Sequence, residues 1–331
     1  MARRQTLTLT LALVLPVLAM LSLMVGSQGW EPLAQAWSAE PGQSAILMDI
    51  RLPRTLGVIA LGLLLGLGGA LAQGLFRNPL ADPYLLGSGS GAALAVTLVA
   101  AASAGAAVQW LPLQPLVRLG LMGAAFLGAL GGVALTLMLA RGAQHTYRLL
   151  LAGLVVGVVL GALTDLVSTF VPDAWRQRQS LLLGNTQLIS GAAAWALWVT
   201  ALLGLVASVS LSRLLDALTL GEEAGASLGL PVARARLALV AVMAACTAVA
   251  VSQAGLILFV ALVAPHITRQ LAPAGHTYLL PASAAMGAAL LLAADIAARW
   301  MLAPQELPVG VVTGVFGGLY LLALLNRRGR S

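Results

Sequence analysis

Residues 51–92 read RLPRTLGVIALGLLLGLGGALAQGLFRNPLADPYLLGSGSGA. An Arg-Leu-Pro-Arg entry leads into an uncharged, almost wholly apolar run from Thr55 to Phe76. About 20 apolar residues in helical form cross the hydrocarbon of a bilayer, so this run reads as a spanning helix. It carries Gly62, Gly66, Gly68 and Gly69. Glycine in a helix costs about 1 kcal/mol relative to alanine, but in lipid a small-residue face lets a second backbone approach closely. The polar Arg77–Asp82 turn closes the helix, and the small residues Gly87–Gly91 open the next one. No strand precedes that Gly-Ser-Gly-Ser-Gly run, so it is not a dinucleotide loop.

The whole chain has the same character. Of 331 residues, 60% are hydrophobic and 9% charged, with a mean hydropathy of +0.96. A soluble domain carries about 25% charged residues, so the solvent here is lipid. The net charge of +7 is all arginine, with no lysine anywhere. Arginine excess marks cytoplasmic loops rather than nucleic-acid binding. Without lysine there is no P-loop of the GxxxxGK[ST] type and no Schiff-base chemistry. Any ATP that drives this protein is hydrolysed by another subunit. The one cysteine, Cys246, lies mid-helix, which excludes an internal disulfide and suggests no metal site.

Ten spans are predicted: 7–25, 55–75, 85–107, 117–140, 148–170, 191–212, 234–253, 255–268, 278–300 and 308–326. They fill the chain as a single transmembrane domain over 1–331. The run at 7–25 reads as a retained first span, since no small-x-small cleavage site follows it. Residues 255–268 are too short to cross as a straight helix, and such pieces are tolerated only where protein or water covers their ends. With the N-terminus inside, 12 arginines fall on the cytoplasmic side and six outside, and both termini are cytoplasmic. Gly123, Gly128, Gly131 and Gly132 give the fourth span a second small-residue face.

The outer six arginines need their own account. Arg51 and Arg54 flank Pro53 at a helix N-terminus, where cations are disfavoured. Two readings stand: anchoring to lipid phosphates, or a docking surface for an acidic partner. Asp295 and Arg299 share a helix face at i,i+4. They form a local ion pair, or Arg299 joins that docking surface. Asp165, inside the fifth span, is a candidate pathway carboxylate that also lies near enough to the outer end to reach water. An ion-gradient-driven secondary transporter working through Asp165 and Asp295 is the alternative of another class. His266 reads as a helix-end hydrogen-bonding group.

The long inner loop, 213–235, contains Thr219-Leu220-Gly221-Glu222, which fits a capping box with Thr219 as N-cap. Gly229 and Pro231 supply a stop. A helix of about nine residues is expected there, too short to be stable alone. It either packs on its own bundle or is presented to a cytoplasmic subunit.

Several long motifs, in order, resemble the FecCD family of ABC importer permeases for ferric siderophores, haem and cobalamin. They are RLPR (51–54), RNPLADPYLLG (77–87), LGEEAGASLGLPVAR (220–234), GLILFVALVAPHITR (255–269), LLLAADIAAR (290–299) and ELPVGVVTGVFGG (306–318). The resemblance covers nearly the whole chain. It implies an all-α polytopic fold of about ten transmembrane helices, the type II importer permease fold, in a bacterial inner membrane. It implies a second permease, identical or homologous, two cytoplasmic ATPase subunits that bind ATP and magnesium, and an extracytoplasmic substrate-binding protein. No cofactor is implied in this chain. The route would run along the subunit interface, lined partly by the fifth and tenth spans. Arg51, Arg54 and Arg299 would meet acidic residues of the binding protein. Thr219, Gly221, Glu222, Glu223, Ala224, Leu228 and Gly229 would form the ATPase-coupling helix. The chain departs from the family in Ala261, where Gly is usual, and in Gly317-Gly318-Leu319-Tyr320 near the end.

Overall fold

The structure, a computed structural model, describes residues 1–26, 29–30, 45–104, 114–141, 145–221 and 231–328. Among the described residues twelve α-helices follow one another: α1 Ala2–Met24, α2 Leu52–Phe76, α3 Ser88–Ala104, α4 Gln114–Leu139, α5 Thr146–Phe170, α6 Pro172–Leu183, α7 Gly191–Ser210, α8 Ser212–Thr219, α9 Val232–Ala254, α10 Val260–Leu271, α11 His276–Trp300 and α12 Val309–Arg328. A π-helical turn, Ile46–Arg51, runs directly into α2. Two two-residue strands, Val25–Gly26 and Gly29–Trp30, pair antiparallel after α1.

Each of the ten expected spans has its helix. Seven are long and apolar enough to cross a membrane: α1, α2 with its π turn, α4, α5, α7, α9 and α11. The apolar α3 and α12 are shorter, and α10 has only 12 residues. Two further helices depart from the sequence reading. Residues 172–183, expected as loop, form α6, with Pro172 at its start where a missing N–H costs nothing. α8 occupies the start of the 213–235 loop.

α2 is the buried axis. Twenty of its 25 residues are buried, and α11, α7, α10 and α9 pack around it. The glycine spacing explains how. A Cβ on Gly66 would overlap the Ser283 carbonyl oxygen of α11, and one on Gly69 would overlap the Ala261 carbonyl oxygen of α10. α3 and α4 use the same device: Gly128 and Gly132 lie against the backbone of Gly91 and Gly87. The small-residue run that opens α3 is thus half of a helix contact. Gly123 and Gly131 have open space around them, so the expected second face is narrower than four glycines.

The short α10 obeys the rule that broken backbone in a membrane must be covered. Gly255 takes φ +71 and Phe259 φ +68, which turn the chain between α9 and α10. The last turn of α6 and the loop after it close this break: Leu256 N–H donates to Leu181 O and Asn185 N–H to Ala254 O, both at 2.7 Å. Pro265 leaves Ala261 O without its helical donor, and Gln73 of α2 donates to the adjacent Leu262 O at 2.9 Å. Most of α1 is exposed, with Leu9, Leu13, Val17 and Met20 facing outward, as suits a lipid-facing helix.

Candidate functional site

At the end of the bundle where α1 finishes and α2 begins, the Arg54 end, five charged side chains converge from distant parts of the chain. Arg54 Nε and Nη2 donate to Asp295 Oδ1 at 3.2 and 3.0 Å, and Nη1 donates to Glu306 Oε2 at 2.8 Å. Arg299 Nη2 lies 2.9 Å from Asp295 Oδ2. It also donates to Ser22 Oγ at 2.6 Å, while Nη1 donates to the carbonyls of Ser22 and Val25 at 2.9 and 2.7 Å. Thr186, in the loop after α6, donates to Asp295 Oδ1 at 2.6 Å. Arg51 reaches back to Leu23 O at 3.2 Å.

The sequence left two readings for Arg51 and Arg54, lipid anchoring or a docking surface, and two for Arg299, a local pair with Asp295 or a place in that surface. The structure gathers the three and buries them. Arg54 keeps 7% of its surface, Arg299 2% and Asp295 none. The cause is electrostatic: a guanidinium near the membrane boundary that finds a carboxylate and several carbonyls inside the protein gains more there than in an apolar surround. The i,i+4 pairing of Asp295 with Arg299 is present. The paired core, Arg54 and Arg299 against Asp295 and Glu306, is balanced in charge. It ties α1, α2, α11, the approach to α12 and the loop before α7 into one knot.

Asp165 does not join it. Its side chain is 65% exposed and pairs with Arg178 of α6 at 2.5 Å. Asp295 is held by Arg54, Arg299 and Thr186, so the two carboxylates have separate sets of partners. His266 sits within α10 rather than at its end, with Nε2 2.8 Å from Gln270 and its ring edge-on to Tyr320. Among the described residues no three His, Cys, Asp or Glu side chains are grouped to hold a metal ion. An apolar cleft of about 200 Å³ opens between α10, α11 and α12, lined by Phe259, Val263, Leu290, Val312, Phe316 and Tyr320.

At the opposite end, Thr219 and Gly221 are described, while Glu222, Glu223, Ala224, Leu228 and Gly229 lie outside the described residues. Thr219 is not a helix start. It is the last residue of α8, its hydroxyl donates to Asp216 O at 2.6 Å, and Gly221 at φ +126 ends the turn. An N-cap would need extended backbone and an accepting oxygen; Leu220 after it is helical instead. Sequence reasoning missed four partners: Glu306, Thr186, and the pair Asp216–His276, whose Oδ1 and Nδ1 are 2.5 Å apart. Glu306 stood in a quoted motif; nothing in the spacing of the other three points to their contacts.

Comparison with known proteins completes the picture. Residues 13–327 match the FecCD transport family. The hemin transport system permease protein HmuU of Yersinia pestis is 40% identical over 293 residues, covering 86% of this chain and 84% of that protein. The vitamin B12 import system permease protein BtuC of Klebsiella pneumoniae is 40% identical over 335 residues, covering 100% and 96%. Among solved structures, a metal-chelate type ABC transporter in an inward-facing conformation superposes with a TM-score of 0.85 at 28% identity, over 98% of this chain and 99% of that one. PsaBC from Streptococcus pneumoniae, in complex with Fab, shares the fold at a TM-score of 0.56 and 16% identity, over 87% and 95%.

Proposed function

Because the chain belongs to the FecCD transport family, we propose that it is the membrane-spanning subunit of a binding-protein-dependent ABC importer. Its cargo is an iron(III)-siderophore or a related metal chelate; the hemin and vitamin B12 permeases among its relatives keep haem and cobalamin as alternatives. The observation that carries this reading is end-to-end similarity to importer permeases, in a chain whose lysine-free sequence has no P-loop. The chain performs no chemistry. Paired with a second permease in the bacterial inner membrane, it lines a path whose opening alternates. ATP and magnesium bind to separate ATPase subunits at the Asp216 end, against the segment from Thr219 to Gly229. With both termini cytoplasmic, the Arg54 end faces outward.

The binding protein docks at that outward end. Arg54 is already matched by Glu306, which is 16% exposed at its side chain. An acidic residue of the binding protein therefore takes the place of Glu306 on Arg54. That exchange releases the segment leading into α12, one of the helices proposed to line the path. The test is co-purification from native membranes in mild detergent. An ATPase subunit and a binding protein retained by the tagged chain support the reading, and a chain that retains neither opposes it.

A further inference from the structure

The helix that carries Asp295 and Arg299 is fastened at its other end as well, some 19 residues or about 30 Å away. His276, the first residue of α11, places Nδ1 2.5 Å from Asp216 Oδ1, and its backbone N–H donates to the same oxygen at 3.1 Å. Next to it, Ser212 Oγ lies 2.9 Å from Thr277 Oγ1. Asp216 and Ser212 belong to α8, which ends just before residue 222.

Three features set this contact apart from ordinary packing. α8 has eight residues, too few to hold its own helix in isolation, and Leu215 and Leu218 already bury its apolar face. The polar contacts add direction to that burial: a carboxylate at the N-terminus of α11 meets an unpaired N–H and the positive end of the helix dipole. His276 is itself buried, with Nε2 lodged where a Cβ on Gly74 of α2 would come within 2.8 Å. Between its two ends α11 lies backbone-to-backbone on α2 at Gly62 and Gly66. So closely packed a pair shifts as a unit between discrete arrangements rather than bending along its length.

We propose that Asp216–His276 is a positioning pair through which movement of α8 drives α11, and with it the arginine cluster at the far end. The proposal rests on the importer reading above, since it needs an ATPase acting at the α8 end of the chain.

The experiment uses the complete complex in lipid nanodiscs. The chain carries Cys246→Ala and Trp300→Cys, with an environment-sensitive dye on the new cysteine; Trp300 is exposed at the far end of α11. Magnesium-ATP with vanadate is expected to change the dye's emission. Asp216→Asn is expected to shrink that change by about fivefold or more, the scale of a modest coupling free energy. The exchanged pair, Asp216→His with His276→Asp, restores most of it. A full response in Asp216→Asn overturns the proposal. So does an exchanged pair as silent as the single variant with a matching fall in melting temperature, the mark of a merely structural contact. A wild-type chain that binds no ATPase overturns the importer reading itself, and is seen before any dye signal is read.

Discussion

Asp295→Asn is the sharpest perturbation of the arginine cluster. The substitution keeps one oxygen for Arg54 and Thr186 but removes the charge, and it aims an amide N–H₂ at Arg299 Nη2, 2.9 Å away. Arg54 retains Glu306, and Arg299 retains the Ser22 and Val25 carbonyls, so both cations stay hydrogen-bonded while one loses its counter-charge. Breaking a fully buried pair from one side costs about 3–5 kcal/mol, and the remaining oxygens on Arg299 set the expectation near the lower figure. Glu306 is the control. Its side chain keeps 16% of its surface, water screens it, and Glu306→Gln is expected to cost about 1 kcal/mol. Adding Arg299→Met to Asp295→Asn relieves the orphaned charge, so the double variant is expected to be less than additive by about 2 kcal/mol. Denaturant unfolding of the purified chain in micelles, followed by tryptophan fluorescence, measures these three variants and Arg299→Met alone. A cost under about 1 kcal/mol for Asp295→Asn, or strict additivity with Arg299→Met, refutes the reasoning.

Gly69→Ala forces α2 from the Ala261 carbonyl of α10 and is expected to cost about 3 kcal/mol. Gly123→Ala, with nothing within 4 Å, is expected to be neutral or to gain up to about 1 kcal/mol; equal unfolding midpoints for the two contradict the packing account. Asp82 caps the turn before α3 by accepting from Tyr84 N–H, and burial raises its carboxyl from 3.8 to about 6. The folded chain therefore takes up a proton there. That stability is complete below about pH 4 and is lost as pH rises through about 6. Because the residue is half-buried, lowering pH from 7.5 to 5 is expected to stabilise the chain by about 1–2 kcal/mol, and Asp82→Asn, which caps equally well, removes that slope; a slope unchanged in the variant opposes the assignment. Glu306→Gln leaves Arg54 freer for an acidic partner and is expected to tighten capture of the binding protein by several-fold in a pull-down. Weaker capture contradicts the exchange at Arg54.

The spans were legible because lipid imposes one rule on all of them, a run of apolar residues of the right length. The half-length α10 was legible for the same reason in reverse. α6 was not, because PDAWRQRQSLLL is polar enough to pass for a loop, and its helix is secured by backbone bonds to the distant 254–256 break. Glycine spacing announced close helix contacts but not their partners; only the fold pairs Gly66 with Ser283 and Gly128 with Gly91. The arginines were legible as a group, but the partners that bury them were not. A chain shows that Arg51 and Arg54 oppose the positive-inside trend, but not that Asp295 and Glu306, some 240 and 250 positions on, wait to receive Arg54. Asp216 and His276 share no helix face and no motif, so their contact belongs to tertiary structure alone.

The most direct measurement is uptake into proteoliposomes. The chain is reconstituted with its co-purified ATPase subunits and binding protein, and haem, cyanocobalamin and a ferric siderophore are offered in turn. Accumulation of one of them that requires hydrolysable ATP, and that stops when the ATPase subunits are left out, is the result predicted. Accumulation by the chain alone, driven by an ion gradient without nucleotide, contradicts it.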